Sequence, residues 1–362
     1  MGLKKIDSIS RRGEVDALRG LAVLLMVFSH ALRWAYGGDP AALIRLCGNI
    51  TPGDLATPAF YLAAGLSLHF SLQRGLQKNP DPLDLRKRFT ARLGKLFFIG
   101  VCMSLTWGVL QAQAITLLVL VWLTLSVPRL QDFQALRSLF PGIITLLICV
   151  HLLLSGLPLS PFWDRLLADQ FPLFAILAIN ATGFYLASYL NLRTFTVAMI
   201  GLGLGLSAAA LLLGEWGVAI QRNGASFSFL ILGIGLSMLL LGIFRFGFMQ
   251  RTIIFCCLMQ MGRDALFLFV FHYAAFFLPL YLLGFTGKLS APGALIFAGI
   301  MVLTVTLVAR LRRGSSFMIY DLVDLIFLTM QSYLFLPLLQ GLNIFRTHYS
   351  TCPRGMGLRR QQ

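Results

Sequence analysis

Charge is what this chain has least of. Only 12% of its 362 residues are Asp, Glu, Lys or Arg, whereas 57% are hydrophobic. Soluble domains carry about twice that share of charge, and one soluble core cannot hide so much apolar surface. The bilayer must therefore be the solvent for most of the chain. Acid is scarcer than base, with 14 Asp and Glu against 30 Lys and Arg. The bases lie in short stretches between apolar runs and not on a basic soluble domain. That argues against nucleic acid as a partner and fits the positive-inside bias of membrane proteins. The six cysteines include no two CxxC pairs, so no zinc or other metal site is expected. Three or four of them fall inside apolar helices, where Cys behaves as a small hydrophobe.

Long apolar runs dominate what is present. A spanning helix needs about 20 mostly apolar residues. Eleven candidate runs fall near 15–36, 55–72, 91–109, 112–127, 138–157, 171–190, 195–214, 225–244, 264–285, 292–309 and 317–341. The last is interrupted by Asp321 and Asp324. The expected fold is all-α: a polytopic transmembrane helix bundle of about 10–11 spans with no soluble domain. Residues 1–13 read as a cytoplasmic N-terminal segment, 14–342 as the bundle and 343–362 as a disordered basic tail. The first apolar run exceeds a signal-peptide core and no small-residue cleavage site follows, so it is expected to be retained.

Lys4, Lys5, Arg11 and Arg12, together with the seven bases of "RGLQKNPDPLDLRKRFTARLGK", place the N-terminus in the cytoplasm by the same bias. The location expected is a bacterial inner membrane, with lipids as neighbours and an oligomer allowed. The longest loop, 73–90, reads as a cytoplasmic connector. No internal repeat is visible, which weakens an inverted-repeat transporter. The run "GLGLGLSAAALLLG" at 201–214 reads as close helix packing in preference to a pore or hinge.

Ionisable groups at membrane depth are costly and usually face an interior cavity, so they carry the functional information. In "VDALRGLAVLLMVFSH", Asp16 and Arg19 stand at one end and His30 at the other. Arg19 and His30 are eleven apart, about three turns or roughly 16 Å along one face, and Asp16 is spaced to pair with Arg19. The plain alternative is a salt-bridged interfacial anchor with a helix-end histidine. "MGRDALFLFVFHY" repeats the pattern, with Arg263 and Asp264 leading up an apolar helix to His272; a histidine bonded between helices is the competing reading. His69 and His151 are expected to pack, and His348 to be inert in the tail. Gln111 and Gln113 lie at a short turn, where they either cap helix ends or line a polar pocket on the far side. Asn180 and Thr182 are placed to hydrogen-bond across helices.

These residues together resemble the integral-membrane acyltransferases of the heparan-α-glucosaminide N-acetyltransferase-like family and the related acyltransferase-3 family. Asp16, Arg19, Gly20, Ala22 and His30 match the pattern D-x-x-R-G-x-A, an apolar stretch, then H. "TPAFYLAAGLSLHFSLQRG", "WGVLQAQAITLL" and "MGRDALFLFVFHY" are similar to later segments in the same order. The family's Pro-Trp pair is reduced to Pro172, Phe269 replaces a common Tyr, and loop 37–53 holds no histidine. The resemblance implies transfer of an acyl group, usually acetyl from acetyl-CoA as donor co-substrate, to a sugar or glycan hydroxyl or amine at or beyond the membrane. No metal is implied. It assigns His30 and His272 to catalysis. Asp16, Arg19, Arg263, Gln111 and Gln113 fall to substrate or acyl-CoA binding, with Arg86, Lys87 and Arg88 attracting phosphates. A transporter or flippase, or a non-catalytic relative of these enzymes, is the alternative.

Overall fold

Proline or a polar cap marks the start of several of the long helices. The computed structural model describes residues 12–46, 50–104, 107–127, 136–158, 160–192 and 194–312. Residues Met1–Arg310 form one compact unit. The principal helices are α1 (Gly13–Ala35), α2 (Pro52–Lys78), α3 (Pro82–Met103), α4 (Val109–Ser126), α5 (Leu136–Ser155), α6 (Leu173–Ala187), α7 (Phe195–Glu215), α8 (Phe227–Phe244), α9 (Ile253–Arg263), α10 (Ala265–His272) and α11 (Ala291–Leu311). After His272 the helix widens into a π-helical turn, Tyr273–Phe277, and resumes over Leu278–Leu282. No β-strand occurs among the described residues, only an isolated bridge between Tyr36 and Leu289.

The protein is thus an all-α, polytopic helix bundle. Among the described residues, eight helices are long and apolar enough to cross a membrane, and α6 and α9 are shorter apolar helices. Nine of the eleven expected runs coincide with helices α1, α2, α4–α8, α10 with its continuation, and α11. The run at 91–109 is the second half of α3, whose first half is charged. The run at 317–341 and the tail at 343–362 lie outside the described residues, as do residues 1–11. The expected long connector at 73–90 shrinks to residues 79–81. Pro82 fits the first helical position, where a missing N–H costs nothing. The Asp81 side chain caps by accepting from the Leu83 N–H at 2.9 Å. The charges of this stretch therefore sit on a helix surface.

The bases gather at the end of the bundle where α1 begins. Arg12 donates to Asn191 and Arg245 to the Leu190 carbonyl, while Arg137 donates to the Ser188 carbonyl at 2.8 Å. Three guanidiniums thereby serve the C-terminal end of α6, where carbonyls lack helical partners and the dipole is negative. Arg86 reaches Ser126 at 3.1 Å and lies 4.7 Å over the Trp122 ring.

Packing at the centre depends on missing side chains. A Cβ on Gly20 would sit 1.8 Å from the Leu258 carbonyl oxygen, and one on Gly262 would sit 1.7 Å from that of Asp16. The backbones of α1 and α9 therefore touch. Gly203 of α7 meets α8 in the same way, 2.7 Å from the Gly235 oxygen, whereas Gly201 and Gly205 face open space. Small residues permit such contacts where lipid supplies no hydrophobic drive for helix association. Gly20→Ala is expected to destabilise by about 1–3 kcal/mol through overpacking. The contrast is Gly299→Ala in α11, which has nothing within 4 Å. Thermal unfolding in detergent reads the difference: Gly20→Ala lowers the midpoint and Gly299→Ala does not.

Candidate active site

Helix α1 carries polar groups at both ends, and each end meets the α9–α10 segment. At the N-terminal end Asp16 is buried, 3% exposed. It pairs with Arg19 at 3.3 Å and lies 3.7 Å from the Arg263 Nε. Arg19 also donates to the Gly262 carbonyl at 3.2 Å and to Ser67 of α2. The expected pairing of Asp16 with Arg19 is present, and Arg263 joins it. Much of the Arg19 guanidinium is spent joining α1, α2 and α9, while the Arg263 side chain keeps 41% of its surface open.

At the other end His30 meets His272. Helix α9 breaks at Asp264, whose φ of −105° and ψ of 21° leave the helical region, and α10 restarts and delivers His272. The Nδ1 of His30 lies 3.0 Å from the Nε2 of His272, with the rings near-parallel at 20° and 5.3 Å between centroids. Trp34 stacks on His272 at 5.5 Å. The π-helical turn brings Tyr273 and Phe277 against Trp34, each at 5.0 Å. The loop before α11 fixes this end of α1, since Gly287 N–H and Leu289 N–H donate to the carbonyls of Trp34 and Ala35, both at 2.8 Å.

Hydrogen bonding sets the tautomers. The Nδ1 of His272 is 3.0 Å from the Leu268 carbonyl, which only accepts, so that nitrogen carries the hydrogen. With both rings neutral, His272 Nε2 is then an acceptor and His30 Nδ1 the donor. The Nε2 of His30 is left with a free lone pair. His272 is fully buried; His30 is partly open, to a cavity.

That cavity has a volume of about 220 Å³ and is walled in part by His30, Arg33, Asp54, Gln111, Arg222 and Tyr273. It adjoins an outer chamber of about 590 Å³ that shares Ser29, Arg33, Thr51, Asp54 and Arg222. Asp54 is 5% exposed. Its carboxylate accepts from the Thr51 N–H at 2.9 Å, the Thr51 hydroxyl at 2.8 Å and Arg222 at 3.0 Å. Sequence reasoning missed the roles of Asp54 and Arg222. The signal for Asp54 was present, since Thr51-Pro52-Gly53-Asp54 has capping-box spacing with Pro at the first helical turn. Arg222 belongs to no motif and carried no local signal.

Gln111 lines the cavity and donates to the Ser104 carbonyl at 2.9 Å. Gln113 turns instead into the seam between α4 and α6, donating to Asn180 at 3.2 Å, and Asn180 donates to Thr116 at 2.9 Å. His69 packs edge-on against Phe184 at 5.0 Å, and His151 reaches the Ala225 carbonyl at 3.1 Å; neither joins the cavity wall. Thr182 bonds within its own helix. Among the described residues no group of three or more His, Cys, Asp or Glu is placed to hold a metal ion.

Fold and site together define an integral, multi-pass membrane protein with a paired-histidine cavity inside the bundle. Residues 11–230, more than half of the chain, match the family model described as heparan-alpha-glucosaminide N-acetyltransferase, catalytic. The chain belongs to that family and is a membrane enzyme of the N-acetyltransferase type. No curated protein matches it. The matched span includes Asp16, Arg19, His30, Asp54, Gln111, Gln113 and Arg222; Arg263 and His272 lie beyond it.

Proposed function

We propose that this protein transfers an acetyl group from cytoplasmic acetyl-CoA to an amine or hydroxyl of a sugar or glycan that enters from the outer chamber. The observation that carries the reading is the 3.0 Å contact of His30 with His272 at the cavity wall. It leaves the His30 Nε2 unprotonated and directed away from its partner, as a general base requires. His272 holds the tautomer, because its own Nδ1 is committed to a backbone carbonyl. As the acceptor attacks the thioester carbon, its proton passes to His30 Nε2. Collapse of the tetrahedral adduct breaks the C–S bond, and the proton goes on to the departing thiolate. An imidazole suits this cycle because the same nitrogen can take a proton and return it.

The donor is assigned to the end where α1 begins. The basic surface there supports an orientation with that end in the cytoplasm, by the positive-inside bias. Arg263, half-open beside Asp16, is the phosphate contact proposed for CoA, aided by the surface bases Arg86, Lys87 and Arg88. About 16 Å of α1 separates Arg19 from His30, so the nucleotide and the thioester would occupy opposite ends of the same helix face. The location proposed is a bacterial inner membrane.

Two outcomes test this. With purified protein, labelled acetyl-CoA and glucosamine as acceptor, His30→Ala is expected to lower kcat by about 10²–10⁴-fold, the range for a lost general base, with an unchanged unfolding midpoint. Full activity would remove His30 from the chemistry. Arg263→Ala is expected to raise the KM for acetyl-CoA about tenfold, equivalent to one charge-assisted hydrogen bond, while kcat holds. An unchanged KM would remove the phosphate contact.

A further inference from the structure

The reaction just proposed generates an anion that His30 cannot stabilise. When the acceptor attacks, the carbonyl π electrons move to oxygen, and hydrogen-bond donors held against that oxygen stabilise the charge. Donors aimed at that oxygen are commonly the largest single contribution to such catalysis. Several polar side chains line the cavity, Ser29, Arg33 and Gln170 among them. The Gln111 amide donates to Ser104 and the Arg222 guanidinium to Asp54.

Tyr273 is different. It lines the same cavity as His30. Its ring stands edge-on to His30 at 5.5 Å and 73°, and lies 4.7 Å from His272 and 5.0 Å from Trp34, measured between centroids. Three aromatic neighbours thus fix the ring. Its hydroxyl has no hydrogen-bond partner among the described residues and is not among the sealed-off polar atoms. A tyrosine hydroxyl normally finds a partner when buried, and Tyr273 is one of the residues that line the cavity. The π-helical turn that begins at Tyr273 is a local departure of the kind found at functional sites. Arg33, one turn beyond His30 and on the same cavity wall, adds positive charge on that side.

We propose that Tyr273 is a further catalytic residue: its phenol O–H donates a hydrogen bond to the carbonyl oxygen of the bound acyl thioester as that oxygen becomes an oxyanion. The phenol keeps its proton throughout. The acceptor proton goes to His30 Nε2, the new C–N or C–O bond forms, the C–S bond breaks, and the thiolate regains a proton from His30. This assignment rests on the acyl-transfer reading above.

Tyr273→Phe is the test, because it keeps the ring and its stacking and deletes a hydroxyl that bonds no group among the described residues. Thiol release from acetyl-CoA in the presence of glucosamine is followed for purified wild type, Tyr273→Phe and His30→Ala, with unfolding midpoints alongside. The expected result is a kcat lower by about 10²-fold for Tyr273→Phe, KM within about twofold and the midpoint unchanged, in line with loss of one oxyanion donor. Wild-type kcat in Tyr273→Phe overturns the role of the phenol while leaving the His30 reading in place, provided His30→Ala is silent. A change in KM or midpoint alone overturns it too, by making Tyr273 a binding or packing residue. Absence of thiol release in the wild type contradicts the acyl-transfer reading itself, and the Tyr273 assignment with it.

Discussion

The site depends on one backbone contact, that of α1 with α9 at Gly20 and Gly262. Each glycine leaves room for the carbonyl of the other helix, with no space for even a methyl group. The contact sets the register of two segments that run in the same direction. His30 is ten residues beyond Gly20, and His272 is ten residues beyond Gly262. Equal offsets give equal rises of about 15 Å, so the imidazoles arrive at the same level and meet. Asp16, Arg19 and Arg263 lock the register beside the glycines, and Arg19 reaches the Gly262 carbonyl directly. A slip of one residue would rotate each ring by about 100° and part them.

That arrangement separates two tasks along a single helix. Charge is kept where α1 starts, among guanidiniums that also serve the C-terminal end of α6. The far end is aromatic, with His30, His272, Trp34, Tyr273 and Phe277 packed together beside the cavity. Its rim carries the Asp54–Arg222 pair and Arg33, between the inner cavity and the outer chamber. A polar network inside a bundle is costly unless its members are satisfied. Here many are satisfied by each other, and the two groups that the proposed chemistry uses, the His30 Nε2 and the Tyr273 hydroxyl, belong to residues that line the cavity.

The helical architecture was legible because apolar runs of spanning length dominate the sequence, and the stripe of Asp16, Arg19 and His30 was legible because eleven residues return to one helix face. That His30 and His272 touch was not legible: it depends on glycine contacts between helices some 240 residues apart, which no local pattern encodes. Gln111 and Gln113 show the opposite failing. Residues two apart on a helix do not share a face, so one could line the cavity and the other could not, and the structure sends Gln113 to Asn180. The stretch 73–90 misled because charge and proline suggest a loop, although a proline at the first helical position starts a helix as readily as it ends one. Tyr273 went unread because its value comes from contacts with His30 and Trp34 on a helix distant in sequence, which the apolar residues around it do not announce.

The central claim is that His30 and His272 act as one unit. A double-mutant cycle on kcat, using His30→Ala, His272→Ala and the pair combined, tests it most directly. Groups that act together are strongly non-additive. The account predicts that the double variant is no slower than His30→Ala alone, because His272 works only through its partner. Losses that multiply would show two independent contributions and contradict it.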